Sequence, residues 1–293
     1  METRKLEVFI RAVDVGNLTQ AGDDLGYSQS GVSHMMKSLE DELGMPLLMR
    51  SRTGVRPTVA GAQILPLARE IVHREEQMQQ ELFQLKGLHV GKLCVASFSS
   101  VSTYWLPPII KRFRGAYPDI EIELLIGNIP EIVGWIGEGV ADLAFLNRQD
   151  ISGVDWITLK QDVMMAVLPH GHRLEHARAF PIGEFEREPS IISSLGYEYD
   201  VQSLVGSERP QPKIKYSSVD DNAVIAMVES GLGVSILPEL VIEGRRDAVI
   251  GIPLAPRQYR ELGIALPSLE MASPAAKKFI EQTRAMLATM SDE

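Results

Sequence analysis

Three stretches at the start of the chain place apolar residues at helical spacing. The first spans residues 4–15, the second lies between Gly16 and Gly26, and the third runs from Ser28 to Leu43. Their apolar faces consist of Leu6, Phe9, Ile10 and Val13, then Leu18, Ala21 and Leu25, then Val32, Met36, Leu39 and Leu43. This periodicity predicts amphipathic helices. A helix, a short helix, a tight turn and a longer helix are typical of a helix-turn-helix.

Short polar residues and glycines mark where these helices begin and end. Asn17 can accept hydrogen bonds from the free N–H groups of the second helix, and Gln20, three residues on, predicts a capping-box partner. Ser28 is expected to cap the third helix, and Gly44 is expected to end it. Two short extended stretches around a Thr-Gly turn then predict a small β-wing. These stretches are residues 47–50 and 55–57.

A long helical pattern follows the wing. Thr58 is expected to cap a helix that reaches about Leu88. Its apolar seam repeats every seven residues at Ile64, Ile71, Met78 and Leu85, with Ala60, Leu67, Arg74 and Leu82 in the intermediate row. A long helix with one apolar seam needs a partner, so we interpret it as a dimerisation helix. The alternative is a core helix of the next domain.

From Gly91 the pattern changes to strands that alternate with helices. The predicted strands are residues 91–97, 120–125, 141–146, 162–169, 189–194, 213–218, 233–238 and 261–267. A helix is expected between most of them, beginning with residues 103–117 and including one between 169 and 189, and the last helix spans 273–290. Such alternation predicts an α/β domain, here of two Rossmann-like lobes. The final strand and helix are expected to return to the first lobe.

These patterns divide the chain into three parts. An all-α winged helix-turn-helix of residues 1–58 is followed by a linker helix of residues 59–89 and an α/β domain of residues 90–293. Within the α/β domain, lobe I is expected to comprise residues 90–161 and 266–293, and lobe II residues 162–265. A chain of 293 residues is long enough for several cores.

Composition and charge narrow the class of protein. The chain is 45% hydrophobic, no apolar run reaches the length of a membrane span, and the N-terminus lacks a signal-peptide core. A cytoplasmic protein without a disulfide framework is expected, because Cys94 is the only cysteine. The net charge of −10 argues against non-specific coating of nucleic acid. Residues 1–58 nevertheless carry seven bases against eight acids, so a local DNA-binding module remains compatible.

The polar face of the third helix carries short hydrogen-bonding groups. Amides, hydroxyls and an imidazole can contact base edges in a major groove, which admits one α-helix. The second helix offers free N–H groups to phosphate, and arginines on the wing can reach flanking phosphates or the minor groove. The predicted DNA-binding residues are Asn17, Thr19, Ser28, Gln29, Ser30, Ser33, His34, Lys37, Arg50, Arg52 and Arg56. The alternative is a solvated face with helix caps.

Residues 6–61 resemble the winged helix-turn-helix of LysR-type transcriptional regulators. The matching positions are Phe9, residues 17–21, Leu25, Ser28, Gln29, Val32, Ser33, Leu39, Glu40, Leu43, Gly44, Leu47, Arg50, Thr58 and Gly61. Later segments, LPPIIKRFRGAYPDIEIEL, GVADLAFL, LPHGHRL and MVESGLGVSILP, are similar to the effector domain of that family. The sequence departs from the family pattern at Gly22, Ser30, Gly31 and Leu48. Gly22 and Gly31 each lower helix propensity by up to about 1 kcal/mol.

The resemblance implies a ligand-responsive transcription factor. It implies double-stranded DNA as a partner, homodimers that assemble into homotetramers, contact with RNA polymerase, and no membrane association. The two-lobed domain is also similar to periplasmic solute-binding proteins, which implies a small-molecule effector between the lobes. Effector binding is expected to change the spacing of the bound half-sites or the bending of DNA.

Polar residues that follow the predicted strands are the candidate effector ligands, because ligands of open α/β sheets bind beyond the carboxyl ends of strands. A cluster of hydroxyls in SFSSVST suits an organic anion such as a carboxylate. The candidates are Ser99, Ser100, Ser102, Thr103, Asn128, Ile129, Asn147, Ser193, Ser194, Ser218 and Asp220. For each of them, a helix cap or a turn is the alternative role.

Other chemistry has little support in the sequence. His170 and His172 favour a turn over a metal site, because no acidic or thiol partner lies nearby in sequence. No nucleophile–base pair, phosphate loop or cofactor fingerprint is present, so no catalytic residue, metal or cofactor is predicted. Two other hypotheses remain: an enzyme with a regulatory helix-turn-helix, and a solute-binding module without a DNA role. The winged helix-turn-helix argues against the second.

Overall fold

A computed structural model describes residues 2–51, 54–86, 90–148, 151–193 and 213–290. The N-terminal part contains helices α1 (Thr3–Val15), α2 (Leu18–Leu25) and α3 (Gln29–Leu43), the hairpin strands β1 (Leu48–Ser51) and β2 (Gly54–Pro57), and the linker helix α4 (Val59–Leu85). The strands pair antiparallel, with Met49 opposite Arg56. The predicted winged helix-turn-helix is therefore confirmed as a fold.

Side-chain caps set the starts of α2 and α3. Asn17 Oδ1 accepts hydrogen bonds from the N–H groups of Thr19 at 2.8 Å and Gln20 at 3.2 Å, and Ser28 Oγ accepts from Gly31 N–H at 3.2 Å. The predicted capping box with Gln20 is wrong. Its side-chain amide instead donates to Asp24 at 2.7 Å, one turn further along the same helix.

Gly22, one of the departures from the family pattern, fits a close backbone approach. A Cβ at this position would lie 2.7 Å from the Tyr27 carbonyl oxygen and 3.2 Å from Val32. The turn between α2 and α3 therefore folds back onto α2, and the Tyr27 N–H donates to the Gly22 carbonyl at 2.8 Å. The loss of helix propensity at Gly22 accompanies a tighter turn, which positions α3.

The first half of α4 belongs to the core of the winged helix-turn-helix. Ala68 is buried there, and Ile64, Leu65 and Val72 pack against the same core. Arg69 also donates to Asp14 of α1 at 2.6 Å. The linker helix is thus a structural part of the N-terminal domain for about half of its length.

Two helix glycines predict opposite effects on stability. At Gly61, a Cβ would lie 2.1 Å from the Leu47 carbonyl oxygen, whereas at Gly134 nothing lies within 4 Å. Gly61→Ala should lower the free energy of unfolding by about 1–3 kcal/mol, because the backbone of the wing must move. Gly134→Ala should raise it by up to about 1 kcal/mol, because alanine is the better helix former. Urea denaturation of both variants checks the signs, and a stabilising Gly61→Ala would contradict the close contact.

The α/β domain has two lobes joined through long strands. The strands are β3 (Gly91–Ser97), β4 (Ile120–Ile126), β5 (Leu143–Asn147), β6 (Asp155–Leu168), β7 (Phe180–Pro181), β8 (Pro189–Ser193), β9 (Lys213–Ser218), β10 (Val234–Pro238), β11 (Ile250–Ala255) and β12 (Tyr259–Leu266). The helices are α5 (Ser99–Tyr104), α6 (Leu106–Ala116), α7 (Ile129–Gly137), α8 (Asp221–Glu229), α9 (Glu239–Ile242) and α10 (Pro274–Met290), with 3-10 helices at Ile182–Arg187 and Glu243–Arg245.

The strand order shows how the chain passes between the lobes. Lobe I has the order β4-β3-β5-β12-β6, with β3 parallel to β4 and β5, and β12 antiparallel to β5. Lobe II has the order β6-β10-β8-β9, and β11 pairs with both β6 and β7. The first part of β6, Asp155–Val163, pairs with β12, and its last residues, Met164–Leu168, pair with β10 and β11. The helix α10 packs on β3 and α6, so the chain returns to lobe I as predicted.

Several predicted elements of this domain differ from the structure. The single helix of residues 103–117 is two helices, because Pro107 and Pro108 lack the N–H donors that would continue α5. The helix predicted between 169 and 189 is a 3-10 helix, preceded by turns. The strand β6 begins at Asp155, seven residues earlier than predicted, because its first half has no clean apolar face. The helix predicted between residues 194 and 213 lies outside the described residues.

Candidate DNA interface and effector site

The recognition face of α3 is exposed along one side. Val32, Met36 and Leu39 are buried against α1 and α2. The opposite side carries the predicted contact residues Ser28, Gln29, Ser30, His34 and Lys37, which are exposed, and Ser33, which is half-buried. The polar side chains of this helix therefore face away from the core.

The polar groups on this face bond mainly to one another. Gln29 donates to Ser33 Oγ at 3.3 Å, and the hydroxyls of Ser28 and Ser30 lie 3.1 Å apart. These bonds join residues two or four positions apart, so they hold the side chains without connecting the face to another element. Because hydroxyls and amides both donate and accept, the same groups can exchange these bonds for bonds to base edges.

Ion pairs neutralise three basic residues outside this face. Lys5 pairs with Glu42, Arg11 donates to Asp24 at 2.6 Å, and Arg69 pairs with Asp14. Hydrogen bonds from Gln20 and Arg11 hold the pKa of Asp24 below its ordinary value. These three bases are therefore already paired within the N-terminal part of the chain.

Charges of the wing and of α3 remain available. Arg50 and Arg56 are exposed on β1 and β2, and Lys37 is exposed on α3. Within the described part of the chain, no acidic side chain forms an ion pair with any of these three. Arg52, the third predicted arginine, lies outside the described residues. Asn17 and Thr19 are exposed at the start of α2, where Asn17 serves as the cap.

The serine cluster of lobe I begins α5 directly. Helix α5 starts at Ser99, four residues earlier than predicted, so the cluster lies inside the helix and not before it. Ser100 and Ser102 are buried, and Ser99 is half-buried. Thr103 is exposed, and its hydroxyl donates to the Ser99 carbonyl at 2.8 Å. The buried hydroxyls are the members of this cluster that lie deepest in the fold.

The other predicted effector residues lie at strand ends, as expected, but several have structural partners. Asn128 forms a capping box with Glu131, with bonds of 2.8 and 2.9 Å, and Ile129 is buried behind it. Asn147 is buried at the end of β5. In lobe II, Ser193 is buried at the end of β8, Ser218 accepts from the Asp220 N–H at 3.1 Å, and Asp220 caps α8 through Asn222 at 2.9 Å. Ser194 lies outside the described residues.

A buried ion pair joins the two lobes, and it is absent from the sequence-based predictions. Arg260 of β12 donates to Asp162 of β6 through Nε at 2.9 Å and through Nη2 at 2.7 Å. Arg260 is only 4% exposed and Asp162 only 8%. Arg260 also donates to Ser100 Oγ at 3.3 Å, and its guanidinium carbon lies 5.1 Å from the centre of the Phe98 ring. The pair therefore connects β6 and β12 to the serine cluster.

The other oxygen of Asp162 contacts lobe II. Oδ1 accepts from the Leu240 N–H of α9 at 3.1 Å. A Cβ placed on Gly244, just after α9, would lie 2.7 Å from the Tyr104 hydroxyl of α5. The lobes thus meet around the ion pair. The sequence contains one signal for the ion pair. Asp162 and Arg260 each stand just before the apolar segment of a strand.

A second buried carboxylate lies on the lobe II side. Asp221 begins α8 and is 6% exposed, and no described donor meets either oxygen with hydrogen-bond geometry. Burial raises the pKa of Asp221, while the neighbouring Ser193 hydroxyl and the charge of Arg260 oppose the rise. A ligand that brings a donor to this carboxylate would be stabilised here.

The raised pKa of Asp221 gives a pH-dependent stability. Because the pKa is higher in the folded chain than in the unfolded chain, ionised Asp221 opposes folding at neutral pH, and stability rises as pH falls through the folded pKa. Asp221→Asn should therefore stabilise the protein at pH 7 by about 1 kcal/mol. The difference between variant and wild type should shrink as the pH is lowered. Thermal unfolding at a series of pH values measures it, and a constant difference would contradict the assignment.

The two histidines of the predicted turn have structural partners. His172 Nδ1 accepts from the Leu174 N–H at 3.1 Å, and its Nε2 lies 3.3 Å from Glu188. His170 Nε2 lies 3.0 Å from the Asp247 carbonyl oxygen. Across the described ranges, no group of three or more His, Cys, Asp or Glu side chains could hold a metal ion. Nor does any described helix have the length and apolar character that crossing a membrane requires.

Cys94 is buried in β3 and is a poor nucleophile. Burial, assisted by the negative charges of Glu123 and Asp142, raises the pKa of its thiol to about 12. A thiol with this pKa is almost entirely protonated at neutral pH, and the thiolate is the reactive form. Its role in the structure is packing in the core of lobe I.

Family models cover nearly the whole chain. Residues 3–62 match a bacterial regulatory helix-turn-helix domain of the lysR family, and residues 86–288 match a LysR substrate-binding domain. The transcriptional regulator YvbU of Bacillus subtilis, itself uncharacterized, is 32% identical over 287 residues, covering 97% of this chain and 98% of its own.

Solved structures with the same architecture include two from Pseudomonas aeruginosa. The LysR-family regulator HinK is 28% identical, with a TM-score of 0.61 over 98% of each chain. A full-length OxyR variant is 20% identical and shares the fold, with a TM-score of 0.79 over 98% of this chain and 94% of OxyR. Domain order, family models and relatives agree. The chain is a DNA-binding transcriptional regulator with a substrate-binding domain, not an enzyme, and it belongs to the LysR family.

Proposed function

We propose that the protein binds a specific double-stranded DNA sequence by placing α3 in the major groove. The observation that carries the proposal is the exposed face of α3, on which Gln29 bonds to Ser33 and Ser28 to Ser30. The wing arginines Arg50 and Arg56 are exposed and would contact phosphates of the same duplex. In this arrangement Gln29, Ser33 and His34 contact base edges.

A fluorescence-anisotropy titration tests this proposal directly. The full chain is titrated against a labelled duplex taken from upstream of its own gene and against a shuffled duplex of equal length. We expect tighter binding to the upstream duplex by at least about 10³-fold, a typical ratio of specific to non-specific binding. Equal affinity for the two duplexes would refute sequence-specific binding to that region.

We propose that two chains pair through the exposed stripe of α4. Ile71, Met78 and Leu82 are between 43% and 58% exposed, although they lie at helical spacing on one side. A stripe of this length on a helix normally packs against a second helix. Pairing would present two copies of α3 to successive turns of DNA, and two such dimers would form a tetramer.

A charge in the stripe should separate the copies. Met78→Glu places a carboxylate in the proposed interface and should weaken dimerisation by at least about tenfold. Light scattering after size-exclusion chromatography measures the mass of the assembly. Glu76→Gln, exposed on the opposite side of the same helix, is the control and should leave the mass unchanged. A variant Met78→Glu with the wild-type mass would place the interface elsewhere.

We propose that a small polar effector binds between the lobes and changes DNA binding or bending. Ser100 and the charge of Arg260 can hold a carboxylate, such as that of an organic anion, and Asp221 can accept a hydrogen bond from a donor on the same ligand. The proposed domain boundaries are 1–58, 59–89 and 90–293. We also propose that the DNA-bound regulator contacts RNA polymerase and acts in the cytoplasm.

Thermal unfolding in the presence of small carboxylates, hydroxy acids and amino acids tests the effector class. A bound effector raises the unfolding temperature because it binds only the folded state. We expect compounds with both a carboxylate and a donor to act, and Asp221→Asn to reduce their effect. A response to simple carboxylates that is unchanged in Asp221→Asn would remove Asp221 from the site.

A further inference from the structure

A cavity of about 260 Å³ lies between the linker helix and lobe I. One wall is α4, from Pro66 to Gln77, and the other walls are the turn after α7 and the segment between β12 and α10. The cavity contains none of the predicted effector residues, and the ion pair of Arg260 and Asp162 is not part of its lining. It is therefore separate from the proposed effector site.

Apolar groups form much of the cavity wall. Leu67 of α4, Ile136 of α7 and Met271 and Ala272 of the segment before α10 line it. An apolar cavity of about 150 Å³ is sufficient for a benzene molecule. The volume here therefore accommodates one aromatic ring with a short substituent.

Acids outnumber permanent cations in the lining. Glu70, Glu138 and Asp142 line the cavity, and Arg74 is the only lysine or arginine among its lining residues. Arg74 already donates to the Gln77 side chain at 2.9 Å, and it lies 3.9 Å from Glu70. The lining thus has an excess of negative charge, which favours a cation.

Asp142 is the most enclosed of the three acids. Its side chain is 12% exposed, Oδ2 accepts from the Cys94 N–H at 2.7 Å, and Oδ1 lies 3.6 Å from His73 Nε2. Burial raises the pKa of Asp142, and the charge of His73 opposes the rise. His73 itself lies 2.8 Å from the Gln77 amide. A cation placed in the cavity would therefore lower the cost of keeping Asp142 ionised.

We propose that this cavity binds a small organic cation, an ammonium group joined by a short arm to an apolar ring, with the ammonium at Asp142 and the ring against Leu67 and Met271. The ligand would touch both α4 and lobe I. Its binding would stabilise the packing of the linker helix on the effector domain, independently of any ligand between the lobes.

Benzylammonium is the probe, with benzoate and benzyl alcohol as its anionic and neutral counterparts. Full-length protein labelled with ¹³C at the methionine methyl groups reports binding through Met271 in the cavity, and buried Met164 of lobe II serves as a reference. We expect benzylammonium to shift Met271 in a saturable manner while Met164 does not move. Benzyl alcohol should bind about tenfold more weakly, the value of one charge-assisted hydrogen bond, and benzoate more weakly still.

Two glycines of α7 provide a matched pair of variants. Gly137 lines the cavity and Gly134 does not, and a Cβ at either position would meet nothing within 4 Å. Gly137→Leu should fill the cavity and weaken benzylammonium binding at least tenfold, while Gly134→Leu should leave it unchanged. Asp142→Asn keeps the acceptor for the Cys94 N–H and should weaken binding about tenfold.

Three results would overturn the proposal. They are the absence of a saturable Met271 shift in the wild type, equal binding by Gly137→Leu and Gly134→Leu, and benzoate binding as tight as that of benzylammonium. The measurement needs neither DNA nor an effector between the lobes. Its failure therefore leaves the proposed function untouched, and failure of the DNA titration leaves this site untouched.

Discussion

Arg260→Met is expected to destabilise the effector domain by about 3–5 kcal/mol, the usual cost of removing one partner from a buried ion pair. The loss is large because Asp162, at 8% exposure, would keep its charge without the guanidinium that compensates it. The contact with Ser100 and the stacking on Phe98 would be lost as well. Urea denaturation followed by tryptophan fluorescence measures the change.

Two further variants separate the charge from other effects. Asp162→Asn combined with Arg260→Met removes both charges and should recover most of the stability, because a neutral pair of similar volume costs little. Arg148→Met removes an exposed arginine from its pairing with Glu261, where the arginine is 60% exposed, and should change stability by less than about 1 kcal/mol. If Arg260→Met were as mild as Arg148→Met, the ion pair would not hold the lobes together.

Lys37→Glu is expected to weaken DNA binding at least tenfold at about 0.1 M salt while leaving the unfolding temperature within about 1 °C of the wild type. The side chain is exposed on α3 and no described acid pairs with it, so its loss removes no internal contact. A carboxylate there replaces attraction to phosphate with repulsion. The slope of log Kobs against log salt should become shallower by about 1, the contribution of one phosphate contact.

A charge reversal elsewhere controls for net charge. Lys160→Glu, on the exposed part of β6, changes the total charge equally and should leave affinity nearly unchanged. Gln29→Ala should instead reduce the preference for the cognate sequence, because an amide that bonds two base atoms contributes about 1–3 kcal/mol of discrimination. Equal weakening by Lys37→Glu and Lys160→Glu would indicate a general charge effect and would contradict the assignment of this face.

The N-terminal domain is largely predictable from its sequence because its signals are local. Asn17 and Ser28 cap helices within three residues of themselves, and the glycines at positions 16, 26 and 44 end helices in the left-handed conformation. The apolar spacing of α3 determines which side is buried, so its exposed side follows directly. The prediction for Gln20 is wrong because its amide can bond to Asp24 as readily as to the cap.

The effector domain is less predictable because its decisive contacts are remote in sequence. Arg260 and Asp162 are 98 positions apart, and neither lies in a motif. The early start of β6 depends on pairing with β12, which local alternation does not show. At Asn128 the local signal is present, but a cap and a ligand contact use the same residue type, and the structure shows the capping bonds.

The linker helix has an evolutionary consequence. Between Pro66 and Val72, α4 contributes to the core of the N-terminal domain on one side and lines the cavity at lobe I on the other. Gln80 then donates to the Lys92 carbonyl at 2.9 Å, which ties the end of the helix to β3. Genetic recombination at any point within this helix would therefore split one of the two sets of contacts. A chimera that joins the DNA-binding domain of one family member to the effector domain of another would therefore bring together contact surfaces on α4 that do not match. The two domains of this regulator should accordingly be inherited together.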